Sequence, residues 1–558
     1  MAPWTLQQPV DGHPSLTYTR PLSLNESGYY WDSCFQGTTD LVWHYIVHCG
    51  QELFTETNIA RAWTLLKQKY PLLGSRVCTS DDSLEFHFEV TTERLDQVLP
   101  GELVRKPIAS ADEALSIIDD IIHGEQRRFA ELPARLFILD RTDEESTHHV
   151  IMNTIHFITD GVSHIMLCRA FFDILSRPST VNIADTSERL AMVIPCEDLN
   201  PARRLSISRQ RWRRAIGSVI LKLRRESLRG GHTLPGNFES RTYCTPAVKR
   251  DLRHSLSAGT TTRVLATCRK KDITLTMALP VVAQLATARI LQRQHREGRM
   301  SDAEWEHRRR EPMHFFLPAN LRPYLDQRWQ DNGGSSEVFL SVNLFYCTLP
   351  FMPTADSSSP VHPSEPVLSE DRFFLRCNSI KKQMASYLQH PLFLEMVEAS
   401  LQQSVSKRVL IASHWNKHPS EIGQGKILPT VFNEDTTYTV GISSGGNVRR
   451  IFLLACITSS AHLQYDLLQP LDYPLPSNSE KTISCPSHEI MQENPLLRIT
   501  SWETHLHVRP AYFYLGAVTT RGQASFLLSW DGNVFDQSLI HDWFREVEYV
   551  LVWYLARE

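Results

Sequence analysis

The chain has 558 residues, 42% hydrophobic and 22% charged, enough length and apolar content to bury a sizeable core in more than one lobe and to exclude a single small domain. Its 58 Lys and Arg against 62 Asp and Glu leave a formal net charge of -4, so neither nucleic acid nor an anionic membrane is implied as the main partner. Eleven cysteines without a Cys-x-x-Cys pair suggest neither a disulfide framework nor a zinc site, and fit a reducing, cytoplasmic setting.

Residues 1–12 lack a charged region followed by an apolar run, so no secretory signal is expected there. No stretch approaches the roughly 18 consecutive apolar residues that suggest a membrane span. The run from His148 to Ile155 is rich in β-branched and apolar residues and reads as a strand near its end. From Val162 to Leu175 apolar residues fall at a helical period, at 162, 165, 166, 171, 172 and 175. Gly161 lies at the junction, where glycine allows a tight turn or a close approach to the backbone. The pattern ends at Ser176-Arg177-Pro178-Ser179.

Residues 203–229 carry ten Arg or Lys against one acid, Glu226. They read as a basic amphipathic helix in the crossover between lobes, with Trp212, Ile216, Val219, Ile220 and Leu223 forming an apolar stripe. A second lobe begins near Asn237 to Thr245. Residues 293–311 are densely charged and read as an exposed helix and loop. Residues 353–369 and 469–486, rich in Pro and Ser, read as surface insertions. The chain divides into a first lobe over 1–200, a basic crossover over 201–236 and a second lobe over 237–558. Strands and helices are mixed in both halves, which predicts an α/β (α+β) fold of two lobes.

The segment His156-Phe157-Ile158-Thr159-Asp160-Gly161 carries the chemistry. A histidine at a strand end exchanges protons near neutral pH and suits proton abstraction from a hydroxyl or amine. Asp160 either orients that imidazole, as in a triad, or pairs with an arginine elsewhere and holds the turn. On the pattern alone, a buried structural His beside an N-capping Asp accounts for the same residues.

Other chemistries find less support. His148 and His149 point to opposite sides of a strand and cannot share a metal, and His505 and His507 have strand spacing with no nearby third ligand. No metal site is predicted. There is no Gly-x-Ser-x-Gly elbow, Cys168 lies on an apolar helical face, and the glycines from 441 to 446 lack the Lys of a P-loop. Direct transfer is therefore favoured over a covalent enzyme intermediate.

The six-residue segment resembles the His-x-x-x-Asp-Gly signature shared by BAHD-type CoA-dependent acyltransferases and condensation domains of nonribosomal peptide synthetases. Ile155 stands where condensation domains usually carry a second His, which favours the free-standing acyltransferases. Further segments are similar in order: Ala62–Val77 to the early helix ending in a Tyr/His-Pro-x-Leu element, Pro133–Leu139 to the strand before the motif strand, and Asp272–Ala283 to the helix opening the second lobe. Pro318–Tyr324 with Val342-Asn343 resembles the Asn-x-Arg and Gly-Asn strand pair, Gly441–Gly446 a tunnel-lining strand end, and Ser529–Asp536 the strand and turn before the last helix. The likeness extends to fungal acetyltransferases of secondary metabolism of the trichothecene 15-O-acetyltransferase type. The Asp-Phe-Gly-Trp-Gly motif of plant BAHD enzymes is not present, and its role is not carried over.

The resemblance implies two chloramphenicol-acetyltransferase-like lobes, each a mixed sheet with helices, and an active-site tunnel between them centred on His156. It implies acyl transfer, most simply of acetyl, from acyl-CoA to a hydroxyl of a small terpenoid or polyketide. No bound cofactor is implied, and acyl-CoA is a co-substrate. His156 would be the general base. Asp160 would pair with Arg322, making Gly161 and Arg322 supports of the motif, while Asn343, Ser443, Ser444, Gly445, Ser529 and Trp530 are candidates for the tunnel wall or for oxyanion donors. Arginines of 203–229 could meet CoA phosphates. Two alternatives stay open: a donor carried on an acyl carrier protein, attracted by the basic segment, and a non-catalytic binding member of the fold. A monomer is the expected state.

Overall fold

The computed structural model describes residues 4–7, 15–50, 52–79, 85–124, 129–176, 185–239, 241–351, 368–417, 436–447, 497–520 and 522–557. The insertion predicted over 469–486, and 353–367 of the other, lie outside the described residues.

Three sheets organise these segments. A five-stranded sheet forms the first lobe, in the order Leu497–Leu506, Leu41–Cys49, Thr147–Thr154, Ala134–Arg141, Leu103–Ile108. The strand predicted from the β-branched run before His156 is Thr147–Thr154, which pairs antiparallel with Leu41–Cys49 and Ala134–Arg141. All its residues but Asn153 are buried, so both of its faces are covered, which explains its nearly continuous apolar sequence. Its side chains alternate as a strand requires: Val150 and Met152 join the large core, while Ile151 joins a separate cluster with Val42, Phe137, Leu139, Ala114, Ile118 and Ile122. Those last three lie on the helix Ala111–His123. The helix predicted over 162–175 spans Gly161–Ser176 and packs with the helix Glu56–Lys69. The latter is capped at its start by the Thr55 hydroxyl, which accepts from Asn58 N, and it ends at Pro71, which heads a short 3-10 turn.

The second lobe is built on a six-stranded sheet in the order Val342–Leu349, Met313–Asn320, Tyr438–Asn447, Phe513–Thr520, Gln523–Asp531, Lys249–Ser255. The helix Leu275–Arg296 runs through its core. It is long and apolar enough to cross a membrane by length and composition, but 78% of its apolar window is buried inside the protein. A four-stranded sheet of Thr5–Gln7, Thr17–Pro21, Phe86–Thr91 and Arg76–Thr79 flanks the first lobe.

One connection crosses the boundary drawn at residue 237. The strand Leu497–Leu506 returns to the first-lobe sheet and pairs antiparallel with Leu41–Cys49, from Leu497 opposite Cys49 to Leu506 opposite Leu41. In the crossover segment, the predicted basic helix is Ile207–Glu226 and packs against the helix Phe393–Lys417. Gly231, at φ 90°, then lets the chain pass over the second-lobe sheet, because a Cβ there would come within 2.5 Å of the His314 ring and of Thr437 O.

Candidate active site

The motif strand ends at Thr154, and the next five residues fold into a turn stapled by their own side chains. Ile155 N donates to Pro133 O at 2.9 Å, Ile158 N to Ile155 O at 3.2 Å, and the Thr159 hydroxyl to Ile155 O at 3.2 Å. The Thr154 and Thr159 hydroxyls lie 2.8 Å apart, and His164 Nε2 bonds the same Thr154 oxygen. His164 is buried, stacked on Trp43, and pushed down to about 3 by burial. It is a neutral structural histidine.

His156 sits at the crest of this turn, half-buried. Its Nδ1 donates to Thr159 O at 2.8 Å. A carbonyl can only accept, so this bond selects the tautomer with the proton on Nδ1 and leaves Nε2 with a free lone pair. Burial lowers the affinity of His156 for a second proton below the ordinary value, with the turn carbonyls and Asp160 opposing that effect. One face of the imidazole is covered by the ring of Tyr29, with centroids 4.3 Å apart and planes at 28°.

Asp160 does not touch the imidazole. Its Oδ1 accepts from Ser163 N at 2.9 Å, capping the helix Gly161–Ser176, and its Oδ2 accepts from Arg322 Nη1 at 2.8 Å and Ser341 N at 2.9 Å. Arg322 Nη2 donates to the Ser163 hydroxyl at 2.8 Å and to Phe339 O at 3.1 Å. Burial acts to raise the Asp160 carboxyl, but the Arg322 charge and the donated bonds outweigh it and hold the group below the usual carboxylate range. Of the two jobs left open for Asp160, the structure assigns the second: it caps the helix and ties it to the second lobe.

Gly161 departs from its expected role. It heads the helix with no left-handed φ, and an added Cβ would meet nothing within 4 Å. Neither a tight glycine turn nor a close backbone contact requires it there.

Other residues around His156 had no local sequence signal. Arg509 holds Asp32 through both nitrogens, Nη1 to Oδ1 at 3.0 Å and Nη2 to Oδ2 at 2.5 Å. Arg408 lies 3.2 Å from the same carboxylate and places its guanidinium 4.6 Å from the Tyr29 ring centre. Tyr29 and Asp32 are three residues apart on the helix Leu24–Cys34, so both reach the same side of it. An added Cβ at Gly28 would meet Val405 and Arg408 within 2.9 Å, which measures how closely this helix approaches Phe393–Lys417.

The remaining candidates are dispersed. Ser443 stands opposite Gly516 in the second-lobe sheet, two residues along its strand from Gly441, which faces Tyr514. Ser444 lines a cavity of about 180 Å³ with Asn320, Tyr324 and Thr276. Gly445 lies where the strand register shifts between Ser444 and Gly446. Ser529 stands opposite Tyr514 in the sheet; its hydroxyl and the Trp530 Nε1 are buried without a partner among the described residues. Asn343 donates from Nδ2 to the Ser400 hydroxyl at 3.3 Å, tying its strand to the helix Phe393–Lys417. Four cavities of about 560, 350, 180 and 480 Å³ are lined by residues other than His156.

The structure also supplies neighbours that the sequence did not show for His505. Its ring, His44 and Glu503 bring ligand-type atoms within 4.8 Å of one another, and His44 Nε2 lies 2.8 Å from His149 Nδ1. Two cations already stand in this cluster: Arg253 Nη2 is 3.2 Å from His505 Nδ1, with its Nε 3.5 Å from Glu503 Oε2, and Lys249 Nζ is 3.3 Å from His505 Nδ1. His507 instead faces two carbonyls, Gly37 O and Ala247 O.

No family model matches the chain, and no curated protein matches it. Solved structures do. The trichothecene 15-O-acetyltransferase TRI3 from Fusarium sporotrichioides superposes with a TM-score of 0.67 at 12% identity, over 99% of this chain and 98% of its own. The chain shares a two-lobed, condensation-domain-like fold. Two further structures fit the same description. The condensation domain of the monacolin K polyketide synthase MokA matches with a TM-score of 0.56 at 9% identity, over 96% of this chain and 97% of its own. The cyclization-docking bidomain of EpoB from Sorangium cellulosum gives 0.56 at 11% identity, over 96% and 85%. In this condensation-domain-like fold, the turn bearing His156 lies at the meeting of the lobes, where Asp160 from the first grips Arg322 from the second.

Proposed function

We propose that the protein is an acyltransferase that moves an acyl group, most simply acetyl, from acyl-CoA to a hydroxyl of a small secondary metabolite. The observation that carries this reading is the tautomer of His156. With Nδ1 committed to Thr159 O, the free Nε2 is set to accept a proton, and it sits in a fold shared with an acetyltransferase.

The steps balance without any other reactant. Nε2 takes the acceptor's hydroxyl proton as that oxygen attacks the thioester carbonyl, and the tetrahedral centre then expels the thiolate of CoA. The imidazolium returns its proton to the sulfur, giving free thiol, an ester and neutral His156. The lowered proton affinity of the half-buried ring favours the basic form at neutral pH. Asp160, committed to Ser163, Ser341 and Arg322, takes no part in proton transfer and holds the turn in place. Donors for the developing oxyanion are proposed from the Ser443 to Gly445 strand end and from Ser529 or Trp530.

The test is release of CoA thiol by purified protein given acetyl-, malonyl- and longer acyl-CoA with a panel of terpenoid and polyketide alcohols. Acceptor-dependent release supports the reading and identifies the donor. Silence across the panel from folded protein, with turnover on a carrier-bound acyl group, would replace CoA by a carrier protein as donor.

A further inference from the structure

The helix Ile207–Glu226 has two opposed faces, and its inner one accounts for its packing. Arg213 donates to Glu395 and to Pro391 O, Arg224 donates to Ser386 O and covers the Tyr387 ring at 4.5 Å, and Leu221 is buried. Gly217 sits against the helix Phe393–Lys417, where an added Cβ would come within 2.8 Å of Glu395. The acids beneath the helix are thereby matched: Glu395 by Arg213, and Glu398 by Arg203 at 3.9 Å.

The outer face is apolar and open. Trp212 is 64% exposed, Val219 58% and Leu223 60%. Ala215 is exposed with them. At 3.6 residues per turn these four fall within about 80° of arc, in one line along the helix axis. Lys222 and Arg211 border the stripe within about 40° on one side and Arg209 within about 40° on the other, while Arg214 lies further round and lines a cavity with Glu395 and Glu398. Arg209, Arg211, Arg214 and Lys222 are all exposed. The chain as a whole carries a formal charge of -4, so this face is a positive patch on a negative protein. Composition alone averaged that segregation away.

We propose that this helix docks the protein on an anionic lipid surface, lying parallel to it with Trp212, Val219 and Leu223 in the acyl boundary and the flanking cations at the headgroups. A ridge of aromatic and aliphatic side chains along the outside of one helix, with cations beside it, fits a plane better than a groove. Apolar insertion and attraction to anionic headgroups act together in such a helix, and long basic side chains can lay their stems on the apolar layer while their charges stay in water. The same face offers acidic proteins a charge match but leaves the apolar ridge unused. The proposal does not depend on the acyl-transfer reading.

The test is flotation of the full chain with vesicles of phosphatidylcholine alone or containing about 30% phosphatidylserine, a composition that supplies the negative surface potential. Binding is expected to the anionic vesicles and to fall steeply as salt screens the headgroups. The triple variant Arg209→Gln, Arg211→Gln, Lys222→Gln should lower partitioning about 100-fold. Trp212→Ser with Leu223→Ser should lower it at least about tenfold at unchanged charge. Leu375→Ser, equally exposed but on another helix, should leave binding and the melting temperature unchanged and serves as the control. Failure to float with anionic vesicles would overturn the proposal. So would equal binding to neutral ones, unaltered binding by the Trp212 and Leu223 double variant, or capture by an acidic carrier protein without vesicle binding.

Discussion

Asp160 and Arg322 form a closed ion pair across the two lobes: Oδ2 and Nη1 are 2.8 Å apart, and both side chains are at most 5% exposed. Every oxygen of Asp160 is used, by Ser163 N, Ser341 N and Arg322. Breaking such a pair strands a buried charge, which costs about 3–5 kcal/mol. Arg322→Met should therefore lower stability by about that much, read as a fall in the denaturant midpoint. The double variant Asp160→Leu, Arg322→Met should lose less than Arg322→Met alone, because no uncompensated charge remains. A larger loss in the double variant would show that the carboxylate matters for more than the pair.

The depressed proton affinity of His156 makes a signed prediction for rate. The proposed reaction requires the base form, and an unperturbed imidazole loses half its base form at about pH 6.5. Because burial holds His156 below that value, the acid limb of kcat against pH should fall below pH 6.5. A limb above that pH would contradict the tautomer and burial assigned here.

Tyr29 stacks on the same ring, and in the proposed reaction it would be a positioning residue. Its stacking closes one face of the imidazole and is backed by Arg408. Tyr29→Ala should open that face to water, move the acid limb of the rate profile upward and lower kcat. Tyr29→Phe keeps the stack and should keep the profile. A structural role alone would change stability in both variants and move neither limb.

Five buried histidines impose a pH dependence on stability. Burial pushes His44, His164 and His232 down to about 3, and His149 and His505 to about 4. In the unfolded chain each would titrate near 6.5. The unfolded state then binds more protons between about pH 6.5 and 3, so stability is complete above that window and is lost as pH falls through it. Denaturant midpoints measured from pH 7.5 to 4.5 should decline steadily. His164→Gln should flatten part of the slope.

Much of the architecture was legible because it follows local pattern. The β-branched run before His156 is the central strand, and the period of 3.6 residues after it is a helix. The pairing of Asp160 with Arg322 was reached through likeness of the Asn-Leu-Arg-Pro segment, not through spacing. Residues supplied by distant segments were invisible: Tyr29, Asp32, Arg408 and Arg509 come together from opposite ends of the chain, and no local period marks them. The cluster of His44, His149 and His505 escaped for the same reason, being built across three paired strands. Gly161 misled, since a glycine at a strand-to-helix junction suggests strain that its backbone does not have.

In the proposed reaction, Nε2 of His156 is the base of an acyl transfer. The most direct measurement compares wild type with His156→Ala for CoA thiol release in the presence of acceptor, with acetyl-CoA binding followed by calorimetry in both. The variant should stay folded and bind acetyl-CoA as tightly, while turnover falls by about 10²- to 10⁴-fold, the typical contribution of a positioned base. Retained turnover in the variant would contradict that role.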